Sequence, residues 1–248
     1  MFSLIDLHCH TLFDVDDGAR NEQMMKDMLD SAYSDGIRAI CFTPHFKIYE
    51  FSSDDEIYSY IKQIESSFNV ARQYVSAKYN DLQLFLGNEI MYHSDVFDSL
   101  SSKKCNFLAN SAYALLEFSP DTSAFEIRNT VSKLLRKGVR PVIAHIERYS
   151  ALVKDFSLVE ELKDMGALLQ VNSRAILRFK LGKVARLIKT VLKKHMVDIV
   201  ASDAHNSSSF PQRLSKACDF VAKRYGSNYA KRIFHDTPLA ILNNEKIF

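Results

Sequence analysis

Seven short apolar runs, separated by segments of helical periodicity, recur along the whole 248-residue chain. Alternation of this kind is typical of α/β folds in which the strands form a parallel sheet with helices packed against it. The predicted strands lie at residues 4–8, 38–43, 82–89, 112–118, 139–145, 167–172 and 197–203. Seven such strands favour either a β/α barrel or a doubly wound sheet. No break in composition divides the chain, so we expect one α/β domain over residues 1–248.

Helical periodicity is clearest at residues 57–75, where apolar side chains recur at spacings of three and four. Ser53 and Glu56 precede this stretch with the spacing of a capping box, in which a serine and a glutamate satisfy each other's backbone N–H groups. Ser157 and Glu160 repeat the pattern. We therefore predict that helices begin at these two serines.

Ionisable or amide side chains stand at the ends of the predicted strands, where a buried parallel sheet usually has apolar or turn residues. In chain order they are His8, His10, His45, Glu89, Glu117, His145, Asn172, Asp203 and His205. The carboxyl ends of the strands of a parallel barrel meet at one rim, and the active sites of such folds lie there. We therefore expect these side chains to share one site.

The segment IDLHCHTLFDVDDG, residues 5–18, joins the end of the first predicted strand to an acidic loop. Residues i and i+2 of a strand point to the same side, so His8 and His10 face the same way. An aspartate cluster that includes Asp16 and Asp17 follows in the loop. A metal site is one interpretation. A polar strand end followed by a solvated acidic turn is the alternative, and it would be preferred for an isolated H-x-H pattern.

Histidine and carboxylate side chains without cysteine form a donor set that suits Mn, Fe, Zn or Mg. The candidate ligands are His8, His10, Asp17, His45, Glu89, Glu117, His145, Asp203 and His205. This set exceeds the needs of one ion and implies two or three ions that share bridging carboxylates. Neighbouring ions ~3.5–4 Å apart activate water and hold the oxygens of a displacement at phosphorus.

Arg148, in the motif HIERY, lies three residues after His145. A planar guanidinium group binds two phosphoryl oxygens at once, which makes Arg148 a candidate phosphate contact. A surface arginine that caps the next helix is the alternative. Arg20, Arg174 and Arg213, in loops at the same predicted rim, are further candidates, and a solvated charge is the alternative for each.

Composition and charge argue against several classes of protein. A net charge of +2 gives no sign of nucleic-acid binding, and no apolar run approaches the length of a membrane span. The first residues, MFSLID, lack the pattern of a signal peptide. The cysteines Cys9, Cys41, Cys105 and Cys218 are widely spaced and contain no C-x-x-C, which fits a reducing cytoplasm. We therefore expect a cytoplasmic protein that neither binds nucleic acid nor inserts stably into a membrane.

Cys218 and Arg224 form the C-x5-R pattern of cysteine-dependent tyrosine phosphatases. That chemistry requires a loop of free backbone N–H groups around a thiolate of low pKa. Here Leu214, Cys218 and Val221 have helical spacing, and a helix would already have bonded those N–H groups. We interpret Cys218 as a core residue.

Seven motifs along the chain, DLHCHTLFDVDDGA, TPHF, GNEI, LLEFS, PVIAHIERY, QVNS and IVASDAHN, together resemble the PHP (polymerase and histidinol phosphatase) family. In particular they resemble its bacterial manganese-dependent protein-tyrosine phosphatases, which are encoded with capsule and exopolysaccharide genes. The resemblance implies a distorted seven-stranded β/α barrel of TIM-like form, with a trinuclear centre usually activated by Mn2+. It also implies a substrate protein, a bacterial tyrosine autokinase that controls polysaccharide export.

Matched motif by motif, the resemblance makes metal ligands of the nine candidates given above and a phosphate contact of Arg148. Asp17 is preferred to Asp16 because it directly precedes Gly18. Members of the family carry an arginine a few residues after the final D-x-H motif, whereas in HNSSSFPQR the first arginine is Arg213. Contact between Arg213 and the phosphate is therefore left open.

The predicted function is metal-dependent hydrolysis of phosphotyrosine in proteins. A metal-activated hydroxide would attack phosphorus in line, with Arg148 and Asp17 as catalytic side chains. A histidinol-phosphate phosphatase, or another small-molecule phosphomonoesterase, would share the barrel and the metals. An amidohydrolase also begins with H-x-H, but many of these enzymes have a metal-bridging lysine where this chain has Glu117. A barrel that binds a kinase without catalysis is a further alternative.

Overall fold

The structure is a computed structural model that describes residues 2–93, 104–178, 181–208 and 211–247. Within these ranges the strands are β1 (Leu4–Asp6), β2 (Ile37–Phe42), β3 (His45–Phe46), β4 (Gln83–Leu86), β5 (Glu89–Met91), β6 (Tyr113–Glu117), β7 (Arg140–Ile143), β8 (Leu168–Asn172) and β9 (Ile199–Ala201). They form two sheets of orders β1-β2-β4 and β3-β5-β6-β7-β8-β9, and every neighbouring pair is parallel. The prediction of an α/β fold with parallel strands is confirmed.

Helices fill most of the connections between strands, as parallel pairing requires. They are α1 (Glu22–Ser34), α2 (Asp54–Lys78), α3 (Ala124–Arg136), α4 (Ser150–Lys154), α5 (Phe156–Asp164), α6 (Ser173–Arg178), α7 (Lys183–Lys193), α8 (Ser215–Tyr225), α9 (Ser227–Lys231) and α10 (Thr237–Leu242). Single 3-10 turns lie at Ile48–Glu50, Leu108–Asn110 and Ile146–Arg148, and a π-helical turn lies at Arg232–Asp236. None of the helices in the described ranges has the length and apolar character needed to cross a membrane.

One of the seven predicted strands is divided in two, and another is followed directly by a further short strand, which corrects the prediction of seven continuous strands. The second predicted strand corresponds to β2, and β3 follows it beyond Pro44, which has no N–H group with which to continue the ladder. The third divides into β4 and β5 around Gly87 and Asn88, where a Cβ on Gly87 would come within 3.0 Å of Leu108. Asn88 Nδ2 donates to the carbonyl of Pro44 (2.9 Å), so a side-chain bond links the two breaks. The parallel sheet is therefore curled and built in two sections.

The chain that follows β1 lies beside the end of β9. The N–H of Asp203 donates to the carbonyl of His8 (2.8 Å), and the N–H of His10 donates to the carbonyl of Ala204 (2.8 Å). Cys9 and Ala204 form an isolated parallel bridge. These contacts bring the first and last strand ends together, which positions the H-x-H segment next to the final D-x-H motif.

Both faces of the sheet are buried, as expected for parallel strands covered by helices. Along β6, Tyr113 and Leu115 belong to one apolar cluster, whereas Ala114 and Leu116 belong to another. The smaller cluster draws most of its members from strands and fills the concave side of the sheet, and the larger one lies between the strands and the helices. Because apolar side chains pack against both faces of the sheet, the positions of the strand ends are fixed.

The helix starts differ from the sequence prediction in one case. Ser53 caps α2 as predicted, because its hydroxyl accepts the N–H of Glu56 (3.3 Å). The predicted reciprocal bond of a capping box is not formed, since the Glu56 carboxylate accepts the N–H of Ser52 (2.6 Å) instead. In contrast, α5 begins after Asp155, whose Oδ1 accepts the N–H of Ser157 (2.9 Å). The predicted cap at Ser157 is wrong because α4 ends at Lys154 and leaves an aspartate, also a strong capping residue, at the junction of the two helices.

All four cysteines are buried, and none forms a disulfide. Cys218 lies in α8, where burial raises the pKa of its thiol to about 11. The interpretation of Cys218 as a core residue is therefore confirmed. Cys9 is fully buried as well, and its thiol donates to the carbonyl of Cys41 (3.8 Å), on the side of the strand away from the neighbouring histidines.

We expect Asp155→Ala to lower the free energy of unfolding by about 1 kcal/mol, because it removes the N-cap of α5. Ser157→Ala is the matched control and should change that free energy by less than about 0.5 kcal/mol, since the N–H of residue 157 keeps its acceptor. Urea unfolding of the metal-free protein measures both values. A larger loss for Ser157→Ala than for Asp155→Ala would contradict the assignment of the cap.

Candidate metal centre

The predicted ligands converge at the carboxyl ends of the strands and fall into three overlapping groups. One group contains His10, Asp17, His45 and His205; a second contains His8, His10, Glu89 and Asp203; a third contains His45, Glu89 and Glu117. Within each group the candidate ligand atoms all lie within 4.8 Å of one another. His145 contacts the third group, because its Nε2 lies 2.8 Å from Glu89 Oε1. The structure thus brings the nine side chains into one continuous cluster, which we call the metal cluster.

Glu89 lies at the middle of the metal cluster and is 1% exposed. Its Oε2 is 3.2 Å from Nε2 of both His8 and His10. The same oxygen is 3.1 Å from His45 Nδ1, while Oε1 faces His145. Residues 45 and 89 are register partners in the pairing of β3 with β5. Glu89 thus belongs to two of the three groups of candidate ligands.

The metal cluster is buried on one side and open on the other. Asp17 Oδ1 is 3.5 Å from Nε2 of His45 and 3.5 Å from Nε2 of His205, and the Asp17 side chain is 69% exposed. His8 and His10, in contrast, are buried. The side that carries Asp17 is therefore open to an approaching substrate.

Several buried polar atoms of the metal cluster have no hydrogen-bond partner among the described residues. They are His45 Nδ1, Glu89 Oε2, Glu117 Oε2 and Asp203 Oδ1. Buried polar groups without partners are unfavourable, and native proteins rarely leave them so. Imidazole nitrogens and carboxylate oxygens that converge on one small space fit divalent metal ions, which would satisfy these atoms.

A chain of buried amides orients the histidines. Gln170 Oε1 accepts the Nδ1–H of His8 (3.2 Å) and the backbone N–H of His145 (2.7 Å). Because an amide oxygen only accepts, His8 carries its proton on Nδ1 and presents the lone pair of Nε2 to the metal cluster. Gln170 Nε2 donates to Asn172 Oδ1, and Asn172 Nδ2 donates to Asp203 Oδ2, both at 2.8 Å. One amide chain therefore fixes side chains on three strand ends.

The two adjacent aspartates of the acidic loop have different positions. Asp16 Oδ2 accepts the Nδ1–H of His10 (2.7 Å) and the backbone N–H of His45 (3.1 Å), whereas Asp17 faces the open side of the cluster. Gly18 donates its N–H to Asp16 Oδ1 (3.0 Å), and a Cβ on Gly18 would lie 1.8 Å from the carbonyl oxygen of His10. The loop closes against His10 only because residue 18 has no side chain.

Gln170 and Asp16 were not among the functional residues predicted from the sequence. Each orients a histidine and does not itself face the metal cluster. The available signal for Gln170 was an amide in the middle of the otherwise apolar run LLQV. For Asp16 the sequence offered only its place beside Asp17.

Two residues of the metal cluster have a backbone conformation that is rare for residues other than glycine. The φ angle is 28° at His145 and 53° at Asp203. Such conformations cost of order 1–3 kcal/mol each and persist where surrounding contacts hold them, often at functional sites. Here the N–H of His145 is held by Gln170, and the N–H of Asp203 is held by the carbonyl of His8.

The predicted arginines lie in different places. Arg148, on the turn after β7, donates from Nη2 to Asp203 Oδ2, and its side chain is 41% exposed. A guanidinium anchored at one end and partly open at the other is placed to bind an anion that enters the metal cluster. Arg213 instead donates from Nε to Ser31 Oγ (3.2 Å) and lines a separate pocket together with Arg174.

The charged side chains of the metal cluster shift one another's pKa values. Burial raises the pKa of Glu89, but the surrounding imidazoles, His8 first, outweigh burial and hold this pKa well below its usual range. Burial lowers the pKa of His45, but the neighbouring carboxylates of Asp17 and Glu89 outweigh burial and raise this pKa to about 9. Burial and the Glu89 charge raise the pKa of Glu117 to about 7. Metal binding near neutral pH therefore displaces protons from the cluster.

The chain matches the family described as capsular polysaccharide synthesis, CpsB/CapC, over residues 4–243. The tyrosine-protein phosphatase CpsB of Streptococcus pneumoniae is 37% identical over 249 residues, which cover 98% of this chain and 100% of that protein. The putative tyrosine-protein phosphatase CapC of Staphylococcus aureus is 25% identical over 98% of this chain and 90% of its own length. Sequence similarity thus extends over nearly the whole chain.

Solved structures agree with this similarity. A chain from the crystal structures of YwqE from Bacillus subtilis and CpsB from Streptococcus pneumoniae, described as unique metal-dependent tyrosine phosphatases, matches with a TM-score of 0.83. That match has 26% identity and covers 99% of this chain and 96% of the other. A D-hydantoinase from Thermus sp. matches with a TM-score of 0.56 at 8% identity, over 94% of this chain and 69% of its own, which shows a similar fold alone. The chain therefore belongs to the CpsB/CapC family of capsular polysaccharide synthesis.

Proposed function

We propose that the chain is a metal-dependent protein-tyrosine phosphatase, a phosphoric monoester hydrolase that removes phosphate from phosphotyrosine in proteins. The observation that carries this proposal is the metal cluster, in which each pair of the three groups of ligand atoms has one residue in common: His10, Glu89 or His45. The family membership and the relatives named as tyrosine-protein phosphatases support the same activity.

The metal cluster fits two or three divalent ions, and we propose Mn2+. The ligands would be His8, His10, Asp17, His45, Glu89, Glu117, His145, Asp203 and His205. When bound, such ions lower the pKa of water and neutralise charge on the phosphoryl oxygens. Fe, Zn and Mg accept overlapping sets of these donors, so metal analysis of the purified protein distinguishes them.

Arg148 and Asp17 are the side chains to which we assign direct roles in catalysis. The Arg148 guanidinium, fixed by Asp203, donates to the phosphate oxygens and holds the group in line for attack. Asp17 stays ionised because a hydrogen bond from His45 holds its pKa below the usual range, and it accepts a hydrogen bond from the attacking water at the open side. The leaving tyrosinate has an ordinary pKa of about 10 and needs little protonation.

We also propose that residues 1–248 form one domain with a distorted seven-stranded β/α barrel. In this description β2 with β3, and β4 with β5, each count as one strand. The bonds between the H-x-H segment and the end of β9 support closure of the sheet.

The setting that we propose is the bacterial cytoplasm, and the proposed substrate is a tyrosine autokinase of capsule or exopolysaccharide synthesis. Free, buried cysteines support a reducing compartment. The family description, capsular polysaccharide synthesis, supports the pathway. The exposed position of Asp17 at the mouth of the metal cluster supports a substrate as large as a protein segment.

We expect EDTA to abolish phosphate release from a phosphotyrosine peptide and Mn2+ to restore it, because the ligand atoms of the metal cluster hold the ions on which hydrolysis depends. A phosphoserine peptide and histidinol phosphate, assayed under the same conditions, should remain uncleaved. Hydrolysis of histidinol phosphate alone would replace the proposed substrate with a small molecule. Confirmed metal binding with no hydrolysis of any substrate would indicate a kinase-binding protein without catalytic activity.

Arg148→Ala should lower kcat/KM for the phosphotyrosine peptide by about 10²–10³-fold, because it removes charged donors to the phosphate. Arg148→Lys keeps the positive charge but loses the planar fork, so its activity should lie between those of Arg148→Ala and the unchanged protein. Steady-state kinetics measures the loss, and inductively coupled plasma analysis checks that metal content is unchanged. Unaltered kcat and KM in Arg148→Ala would show that the assigned role is wrong.

Gly18→Ala should weaken Mn2+ binding by about 10–100-fold, because the added Cβ displaces the loop that carries Asp16, which orients His10. Titration calorimetry with the metal-free protein measures the affinity. Gly138→Ala is the matched control: its positive φ of 78° makes the change unfavourable for stability, but it lies before β7, at the opposite end of the strands. Equal loss of metal affinity in both variants would contradict a specific role for the loop.

A further inference from the structure

A second pocket lies next to the metal cluster, between α6 and α8, and has a volume of about 340 Å3. Four cationic side chains line it: Arg174, Arg178, Arg213 and Lys216. Among the described residues that line this pocket, none is acidic. We call it the basic pocket. Its volume lies at the lower end of the range that small-ligand sites occupy.

The basic pocket is adjacent to the metal cluster along two neighbouring strands. Ser173, which also lines the pocket, directly follows Asn172 at the end of β8, and Ser202 directly precedes Asp203 after β9. Asn172 Nδ2 donates to Asp203 Oδ2, so the two strand ends are linked on the side of the metal cluster. Since consecutive Cα atoms are about 3.8 Å apart, the wall of the basic pocket and the metal cluster are backbone neighbours at both strand ends.

Three of the positive charges of the basic pocket are exposed, and among the described residues no acid forms a salt bridge with them. Arg178, Arg213 and Lys216 are exposed, and the Nε of Arg213 donates to a neutral hydroxyl group, Ser31 Oγ. Asp35, an acid close to the start of α8, already accepts two backbone N–H bonds and one hydroxyl bond there. A concave surface with this charge attracts anions.

We propose that the basic pocket binds a second anionic side chain of the phosphoprotein while the phosphotyrosine occupies the metal cluster. This inference rests on the proposed phosphatase activity. Leu177 and Pro211 add apolar surface to the pocket, which suits a side chain whose charge lies at the end of an apolar stem. A second phosphotyrosine and a glutamate share this chemistry. An extended chain spans about 3.3–3.6 Å per residue, so the second side chain lies a few residues from the cleaved one. The basic pocket thereby selects acidic or multiply phosphorylated segments.

The test uses three phosphotyrosine peptides that differ at one position, which holds glutamine, glutamate or a second phosphotyrosine two to five residues away. The unchanged protein, loaded with Mn2+, should have a KM about tenfold lower for an anionic neighbour than for glutamine, with similar kcat. In the double variant Arg178→Glu/Lys216→Glu this preference should disappear. The kcat and KM for p-nitrophenyl phosphate, which is too small to reach the basic pocket, should stay the same.

Arg136→Glu is the matched control, because it reverses one exposed charge at the end of α3, away from the carboxyl ends of the strands, and should keep the preference. The proposal would be overturned if the double variant kept the lower KM for peptides with an anionic neighbour. It would also be overturned if the unchanged protein showed no such difference in KM at any spacing of the two residues. Preference for glutamate and phosphotyrosine alike indicates a general oxyanion site, and preference for phosphotyrosine alone indicates a phosphate site; both support the proposal.

Failure of the phosphatase activity would give a different result, namely no turnover of any substrate, p-nitrophenyl phosphate included. Binding then decides the matter. The same three peptides, with phosphonomethylphenylalanine in place of the cleaved phosphotyrosine, are titrated by fluorescence anisotropy against the unchanged protein and the double variant. Tighter binding of anionic neighbours that is lost in the double variant supports the basic pocket, and equal binding of all three peptides overturns it.

Discussion

One buried carboxylate, Glu89, sets the condition on which the rest of the site depends. An ionised carboxylate inside a protein is strongly unfavourable unless opposite charge or donors surround it. Here the imidazoles of His8, His10, His45 and His145 surround it. These histidines come from the ends of three different predicted strands, so they can meet only if parallel strands finish at the same level. The curled sheet, buried on both faces, provides that geometry.

The breaks after the second predicted strand and within the third serve the same requirement. His45 and Glu89 are the first residues of β3 and β5, each placed just beyond a break, and they pair in register. Pro44 ends the pairing of β2 because proline has no N–H group. The side chain of Asn88 donates to the carbonyl of Pro44. Pairing resumes between β3 and β5 with His45 directly opposite Glu89. In that position Glu89 contacts His45 as well as His8, His10 and His145. The departure from seven continuous strands is thus part of how the site is built.

Much of the candidate site could be predicted because ionisable residues at strand ends conflict with what a buried sheet requires. The orienting residues could not, since a buried amide such as Gln170 has many potential partners, and its actual ones lie far away along the chain, at His8 and His145. The cap at Asp155 was missed because two good capping residues compete there, and the end of the preceding helix decides between them. No local pattern reveals the basic pocket, because it forms only when α6 packs beside α8.

Cys9 stands between two histidines of the metal cluster, yet it takes no part in their chemistry. Strand alternation turns its thiol to the opposite side, and burial raises its pKa well above the usual range, so the thiolate is not populated near neutral pH. The strand therefore separates nitrogen donors from a sulfur atom only one residue away. Hydrolysis without a cysteine nucleophile offers no thiolate for peroxide or an alkylating reagent to trap.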